Sequence, residues 1–496
     1  MISARALIIE FFIYGLSGTL SRFFGLLLVP VFTRTLDTSH FGAFEITTVV
    51  MILLTLLLGV QTESGLVRFY AIAKEKQEEA LLASTVFWVW TFVGVIGSAG
   101  LIFCAPLASK WLYGELADEG IIWLRILAIT VFFHLQFQQL KHLLLLEHKA
   151  KRFAAINIIP VIVITAISLP AVYLGYGVTG ILVGFLLGYL IGFIFMYLSV
   201  RQYLRLKFSL DYFKEVMPYS LPFLPATGLA WGQRHGVRLI IVGSMSLTDV
   251  GVYGVANTIA LVVSMINMAF RQTWVPRSTA IMHKDDAAET YAKIFNLYLL
   301  FMIVLVSSLL IINPLVLQMI APKGYWQAEY LSPWLISGMV YIGMFEFAAL
   351  GNLIAKKSFR NLVGVAAAAS FTLGGSWIVL HYYKSLLMVA VIFFVSQMLG
   401  FYLTIWSSNR IVKVPFRKLV LCYSAFSLTI LPLAATYCYW CLYVIAPVVL
   451  FFYAAILSSQ ERGELLLVWQ KIKVTIKKVY RDKLHKLLFK RAALNT

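Results

Sequence analysis

Apolar runs of about 20 residues follow one another along almost the whole chain, divided by short polar breaks. Each is long enough to cross the hydrocarbon layer of a bilayer as a helix, whose backbone groups are all satisfied within the segment. With 496 residues, 61% of them hydrophobic and 13% charged, there is more apolar surface than a water-soluble core could hide. The chain therefore reads as an all-α polytopic membrane protein.

Fourteen spans are expected, near 8–32, 41–70, 82–108, 120–146, 153–174, 178–200, 217–243, 250–272, 291–313, 331–354, 361–380, 386–407, 418–436 and 440–458. Pro222 and Pro225 in SLPFLPATG predict a kink in the seventh, because proline removes a backbone donor and disfavours helix in the residue before it. Basic residues accumulate in cytoplasmic loops. If the first segment is inside, the outside loops hold only Arg34, Lys110, Lys323 and Lys384, whereas 30 of the 41 Lys and Arg lie in inside segments or the tail and seven within spans. Both termini are thus expected to be cytoplasmic, and the net charge of +19 reports topology rather than a nucleic-acid surface.

Several classes are disfavoured. The loops between spans are too short for a folded catalytic domain, and no G-x-x-x-x-G-K-[ST] phosphate loop is present for an ATP-driven pump. The first apolar run is too long for a cleavable signal peptide. Of the four cysteines, Cys438 and Cys441 in CYWC sit at an outer turn where a disulfide is chemically feasible, although cysteines in apolar helices are commonly small hydrophobes. Cys104 and Cys422 read as packing residues.

An internal repeat sets the organisation. LDTSHFGAFEI after the first span and SMSLTDVGVYGVA after the seventh each enter the next helix through a glycine beside an aromatic residue. Placing Gly42 on Gly251 gives an offset of 209, which also carries Arg68 onto Arg277 and Glu63 onto Gln272. Six spans separate the copies, so the repeat is parallel, and the substrate site of such a design lies between the lobes. Chance similarity between apolar turns is the competing explanation.

The segment LSGTLSRFFGLLLVPVFTRTLDTSHFGAFEI, with its arginine in the first helix and its Gly-aromatic step into the second, resembles the opening of the polysaccharide-synthesis flippases. These are the O-antigen and exopolysaccharide repeat-unit translocases of the multidrug, oligosaccharidyl-lipid and polysaccharide exporter superfamily. The resemblance implies two six-helix lobes plus two C-terminal helices. It further implies movement of undecaprenyl-pyrophosphate-linked oligosaccharide across the bacterial cytoplasmic membrane for O-antigen, capsule or exopolysaccharide synthesis, beside a polymerase and chain-length machinery. The divisions expected are 1–200 for the first lobe, 201–216 for a cytoplasmic linker, 217–407 for the second lobe, 408–459 for the added helices, and 460–496 for a basic tail.

Charges at bilayer depth are costly and usually mark function. Arg234 and Arg238 in LAWGQRHGVRLIIVG are four residues apart, hence expected on one helical face, and Arg22 lies at a similar depth in the matching helix of the other lobe. Guanidinium groups bind pyrophosphate through paired charge-assisted hydrogen bonds, so these three, with Arg68, Arg271 and His235, are candidate substrate-binding residues. On the competing reading the arginines are structural, paired with helix ends or with Glu63, Glu346 or Glu45, Arg68 and Arg271 merely snorkel, and His235, about 100° around the helix from Arg234, serves packing or a neighbouring helix.

Glu63 and Glu346 are candidates for coupling to H+ or Na+, while transport down the substrate gradient needs neither. Gln136, Gln138, Gln139, Asn257 and Asn267 either line a wet path or bond helix to helix. No resident cofactor, metal or catalytic residue is expected. The tail, ELLLVWQKIKVTIKKVYRDKLHKLLFKR, has the pattern of a helix lying on an anionic leaflet. The alternatives are an ion-coupled multidrug antiporter of the same superfamily and a membrane-embedded glycosyltransferase or polymerase.

Overall fold

The computed structural model describes residues 25–282, 284, 286–355, 357, 359–410, 416–457 and 461–463. Among them, eleven helical stretches are long and apolar enough to cross a membrane, and the protein is a multi-pass membrane protein. Arg22 and the tail beyond residue 463 lie outside the described residues.

The first helices are α1 (Gly25–Thr35), α2 (Thr38–Gly59) and α3 (Thr62–Glu75). The second expected span is thus two helices, because Val60 and Gln61 both take left-handed backbone angles, φ 51° and 54°. The break is braced by side chains: the Thr62 hydroxyl donates to Gly59 O at 2.9 Å and accepts from the Trp90 indole.

Helices α4 (Glu79–Tyr113) and α5 (Ala117–Leu146) form a hairpin whose turn uses Gly114 at φ +54°. Then come α6 (Ala150–Tyr173) and α7 (Gly177–Val200). Gly180, Gly184, Gly188 and Gly192 recur every fourth residue on α7 and face α6. A Cβ at Gly188 would come within 2.9 Å of Pro160 O, and one at Gly180 within 2.7 Å of the Ala171 Cβ. In a bilayer, where lipid tails compete with any apolar contact, such close backbone approach is what holds helices together.

The seventh expected span is interrupted twice. It comprises α8 (Leu210–Ser220), α9 (Phe223–Trp231), one π-helical turn at Gly232–Gly236, and α10 (Val237–Ser244). The expected proline kink lies between α8 and α9, with Pro222 capping α9. After it come α11 (Leu247–Ile281), α12 (Ala287–Ile320), α13 (Ala328–Ala348), α14 (Leu350–Ile354), α15 (Phe359–Tyr382), α16 (Leu386–Asn409), α17 (Lys418–Tyr437) and α18 (Tyr439–Ile456).

By contact density, the described residues up to 280 and those of 312–412 make one compact unit. It contains two helical lobes: α2 to α7 pack among themselves, and α9, α10 and α15 pack together, as do α13, α15 and α16. The segment 281–311 and the described residues from 416 onward make the other unit. Inside it the Tyr453 hydroxyl donates to Asn296 O at 2.9 Å, the Asn296 amide donates to buried Glu461 at 2.6 Å, and Cys438 is disulfide-bonded to Cys441.

The two glycines of the repeat touch. A Cβ at Gly42 would overlap the carbonyl oxygen of Leu247, and one at Gly251 would lie 2.6 Å from the carbonyl oxygen of Thr38. The 209-residue offset carries Thr38 onto Leu247, so the contact is reciprocal, as across a two-fold axis. Two helix starts can come this close only where neither has a side chain.

Candidate functional site

From Gly251 to Arg271 along α11 is about 30 Å at 1.5 Å per residue. Toward that far end of α11 lies a cavity of about 480 Å³, within the range of small-molecule sites. Its polar lining comprises Arg234 of the π turn, Ser264, Asn267, Arg271 and Gln272 of α11, and Glu346 of α13, with Met268, Ile342 and Pro276 among the apolar groups.

Arg234 owes its place to the π turn. A turn with one extra residue offsets the side chains before it from those after it. Gly232 and Gly236 bracket this turn and lie against Leu373 of α15, where a Cβ on either would be 3.1 Å from a leucine methyl. Gln233, between them, donates from its amide to Gln397 Oε1 of α16 at 2.9 Å, and both are buried. The turn is therefore anchored on two neighbouring helices.

The expectation that Arg234 and Arg238 serve the cavity together needs correction. Arg238 is buried, 6% exposed at its side chain, and its Nε lies 3.1 Å from Glu45 Oε2 of α2. It joins the lobes close to the Gly42–Gly251 contact. Gly254, three residues beyond Gly251, makes room for this carboxylate: a Cβ there would be 2.9 Å from the Glu45 Cδ. Of the two arginines only Arg234 lines the cavity. His235 does not line it either; it sits between the Trp231 ring and Arg238, whose Nη1 is 3.5 Å from His235 Nδ1.

Arg271, expected to snorkel or to bind, lines the cavity and forms an ion pair with Glu346, its Nε 3.1 Å from Oε1. Arg271 is 63% exposed at its side chain and Glu346 only 20%, so the carboxylate is the inner member. Arg234 also acts electrostatically on Glu346. Asn267 donates to Met339 O at 2.6 Å, holding α11 to α13 at the cavity wall.

Two other candidates lie on α3. Arg68 is exposed, while Glu63 is half-buried beside Gln139 and Lys141, with Oε2 lacking a hydrogen-bond partner among the described residues. Near them runs a chain that the sequence pointed to only piecemeal. The Lys141 ammonium donates to Gln138 Oε1, the Gln138 amide donates to His134 Nε2 at 2.9 Å, His134 Nδ1 is 2.9 Å from Thr55 Oγ1, and Thr55 donates to Met51 O at 2.8 Å. Thr55 has spent its one proton, so Nδ1 must donate and Nε2 must accept, which specifies neutral His134. Gln136 donates to Thr91 at 2.9 Å and so bonds helix to helix.

The sequence of residues 31–328 matches the family of polysaccharide biosynthesis proteins. The chain belongs to that family. No curated protein matches it in sequence. Among solved structures the fold is shared with the lipid II flippase MurJ in an inward closed conformation, at TM-score 0.66 and 15% identity over 89% of this chain and 97% of that one. It is shared too with an inward-facing multidrug resistance MATE family transporter of the MOP superfamily, at TM-score 0.65 and 15% identity over 80% and 96%. A MATE transporter in complex with MaD3S gives 0.58 and 15% over 82% and 95%. The fold is thus one that the chain shares with transporters, while the residues lining the cavity, from Arg234 to Glu346, all come from the second lobe rather than from both, as the repeat leads one to expect.

Proposed function

We propose that the chain is a flippase for pyrophosphate-linked lipid oligosaccharides, moving them from the inner to the outer leaflet of the bacterial cytoplasmic membrane for surface polysaccharide synthesis. The observation that carries this reading is the pair of guanidinium groups, Arg234 and Arg271, on one cavity within a member of the polysaccharide biosynthesis family. A pyrophosphate diester offers two negative charges and several acceptor oxygens, the complement of two guanidinium forks. A cavity of about 480 Å³ holds such a headgroup and its first sugars, while the isoprenoid remains in lipid.

The topology assigned from the loop charges puts the Gly42–Gly251 contact on the outer side and the cavity on the cytoplasmic side, where lipid-linked sugars are assembled. Alternating access then requires that contact to part while the inner side closes. Arg22 and Arg68 remain proposed as further contacts for the headgroup or its approach, and the assembly machinery as a partner.

A second reading, an ion-coupled multidrug antiporter, is favoured by the likeness to several MATE structures and by the carboxylate of Glu346 in the cavity. One experiment separates the two. Purified protein in proteoliposomes is given a fluorescent short-chain lipid pyrophosphoryl oligosaccharide in one leaflet, and its arrival in the other is timed. Flipping lowered at least about tenfold by Arg234→Ala and by Arg271→Ala supports the flippase. Absence of flipping, with export of cationic drugs against an ion gradient, rejects it for the antiporter.

A further inference from the structure

We infer that Glu346 is an internal counter-ion that a pyrophosphate must displace from the cavity arginines, and that its displacement loads the protein with one proton. The inference rests on the reading of the cavity as a pyrophosphate site. It concerns what the site does when the ligand arrives.

The geometry supplies the competition. Glu346 Oε1 stands 3.1 Å from Arg271 Nε, and Arg234 acts on the same carboxylate from the π turn. A ligand oxygen that takes up the Arg271 fork must occupy the place this carboxylate holds. Helices α14 and α16, which also pack on α13, carry no acid, base or histidine to provide Glu346 with another partner. On the wall itself the Asn267 amide already donates to Met339 O, and the remaining polar groups, Gln272 and Ser264, are uncharged and cannot replace a guanidinium as counter-ion.

Charge accounting gives the sign. Empty, the cavity holds Arg234, Arg271 and an ionised Glu346, one positive charge in total. A pyrophosphate diester brings two negative charges, which would leave one uncompensated negative charge beside a carboxylate that is only 20% exposed, a costly state. A proton taken from water in the cavity mouth onto the displaced carboxylate restores neutrality: two guanidinium groups, two phosphate charges, and a neutral carboxylic acid. That acid can then donate a hydrogen bond to a sugar or phosphate oxygen. Binding and proton uptake become one event, so a cargo that leaves on the other side releases the proton there.

The test counts protons. Full-length protein in detergent is titrated calorimetrically with geranyl-pyrophosphoryl-glucose, whose two diester phosphates stay ionised between about pH 6 and about pH 8, in buffers of different ionisation enthalpy. The wild-type chain is expected to take up about one proton per ligand, and its Kd to weaken up to about tenfold for each pH unit. Glu346→Gln should take up none, show no pH dependence, and bind about tenfold tighter at the upper pH. Glu346→Asp should restore the linkage, which separates loss of the carboxyl from loss of folding.

UDP-glucose, a pyrophosphate diester without an isoprenoid, is the second ligand. Uptake with both places recognition in the pyrophosphate; uptake with the lipid probe alone places it in the lipid-linked form. Binding that depends on Arg234 but takes up no proton overturns the inference and leaves the pyrophosphate site standing. No Arg234-dependent binding of either probe overturns both.

Discussion

Replacing Gly42 with alanine should open the contact between the lobes. The new Cβ would overlap the Leu247 carbonyl oxygen, and the facing residue is Gly251, itself 2.6 Å from Thr38 O by its own Cβ position. A carbon beside a carbonyl oxygen needs roughly 3.3 Å, and both neighbours are backbone, so a helix must move rather than a side chain rotate. Overpacking of this kind costs about 1–3 kcal/mol, and the rigid surroundings put it near the upper end, which changes a two-state ratio by about a hundredfold.

The assay uses Thr38 and Thr248, whose hydroxyl oxygens are 3.4 Å apart across the same contact. Cysteines at both, in a background with Cys104→Ala and Cys422→Ala, should cross-link readily under mild oxidation. Adding Gly42→Ala should slow this at least about tenfold. Gly254→Ala should do less, since its Cβ would meet the flexible end of Glu45. Unchanged cross-linking by a normally abundant Gly42→Ala protein would refute the reasoning.

The Arg238–Glu45 pair should behave as a buried one. Arg238→Ala or Glu45→Ala alone should cost about 3–5 kcal/mol by leaving a charge without its partner, while Arg238→Met with Glu45→Leu should recover most of it, read as Tm in detergent. A third expectation concerns Glu147, just past the end of α5. Burial pushes its carboxyl up, but hydrogen bonds from Lys74 and Tyr70, both 2.8 Å, outweigh that and hold it below the usual carboxylate range. Its contribution is present at neutral pH and is lost as pH falls through the lowered value. Because Lys74 is 55% exposed, Glu147→Gln should cost no more than about 1 kcal/mol at pH 7, and the difference should vanish in strong acid.

Helix positions were largely legible because about 20 apolar residues in a row admit few structures in lipid. The repeat was legible in Gly42 and Gly251, since close approach imposes glycine on both copies. What stayed hidden is local phase. Val60 and Gln61 end a helix with residues that carry no breaking signal of their own, and the π turn reads in sequence as ordinary helix flanked by two glycines. Counting by 3.6 across it put Arg234 and Arg238 on one face, whereas one meets the cavity and the other Glu45. The sequence offers Glu346 and Glu45 as partners for the arginines without telling which meets which, because Arg271 and Glu346 stand 75 positions apart.

The π turn also has a bearing on descent. A wide turn of this kind differs from an α-helix by a single inserted residue. Removing one codon from 232–236 would return the rod to regular helix and rotate everything beyond it by about 100°. Arg238 would then swing off Glu45 while the α9 side kept its place. The two halves of this rod can therefore be re-aimed separately by the smallest of indels, so ligand preference and lobe closure can diverge between relatives without any change in residue type.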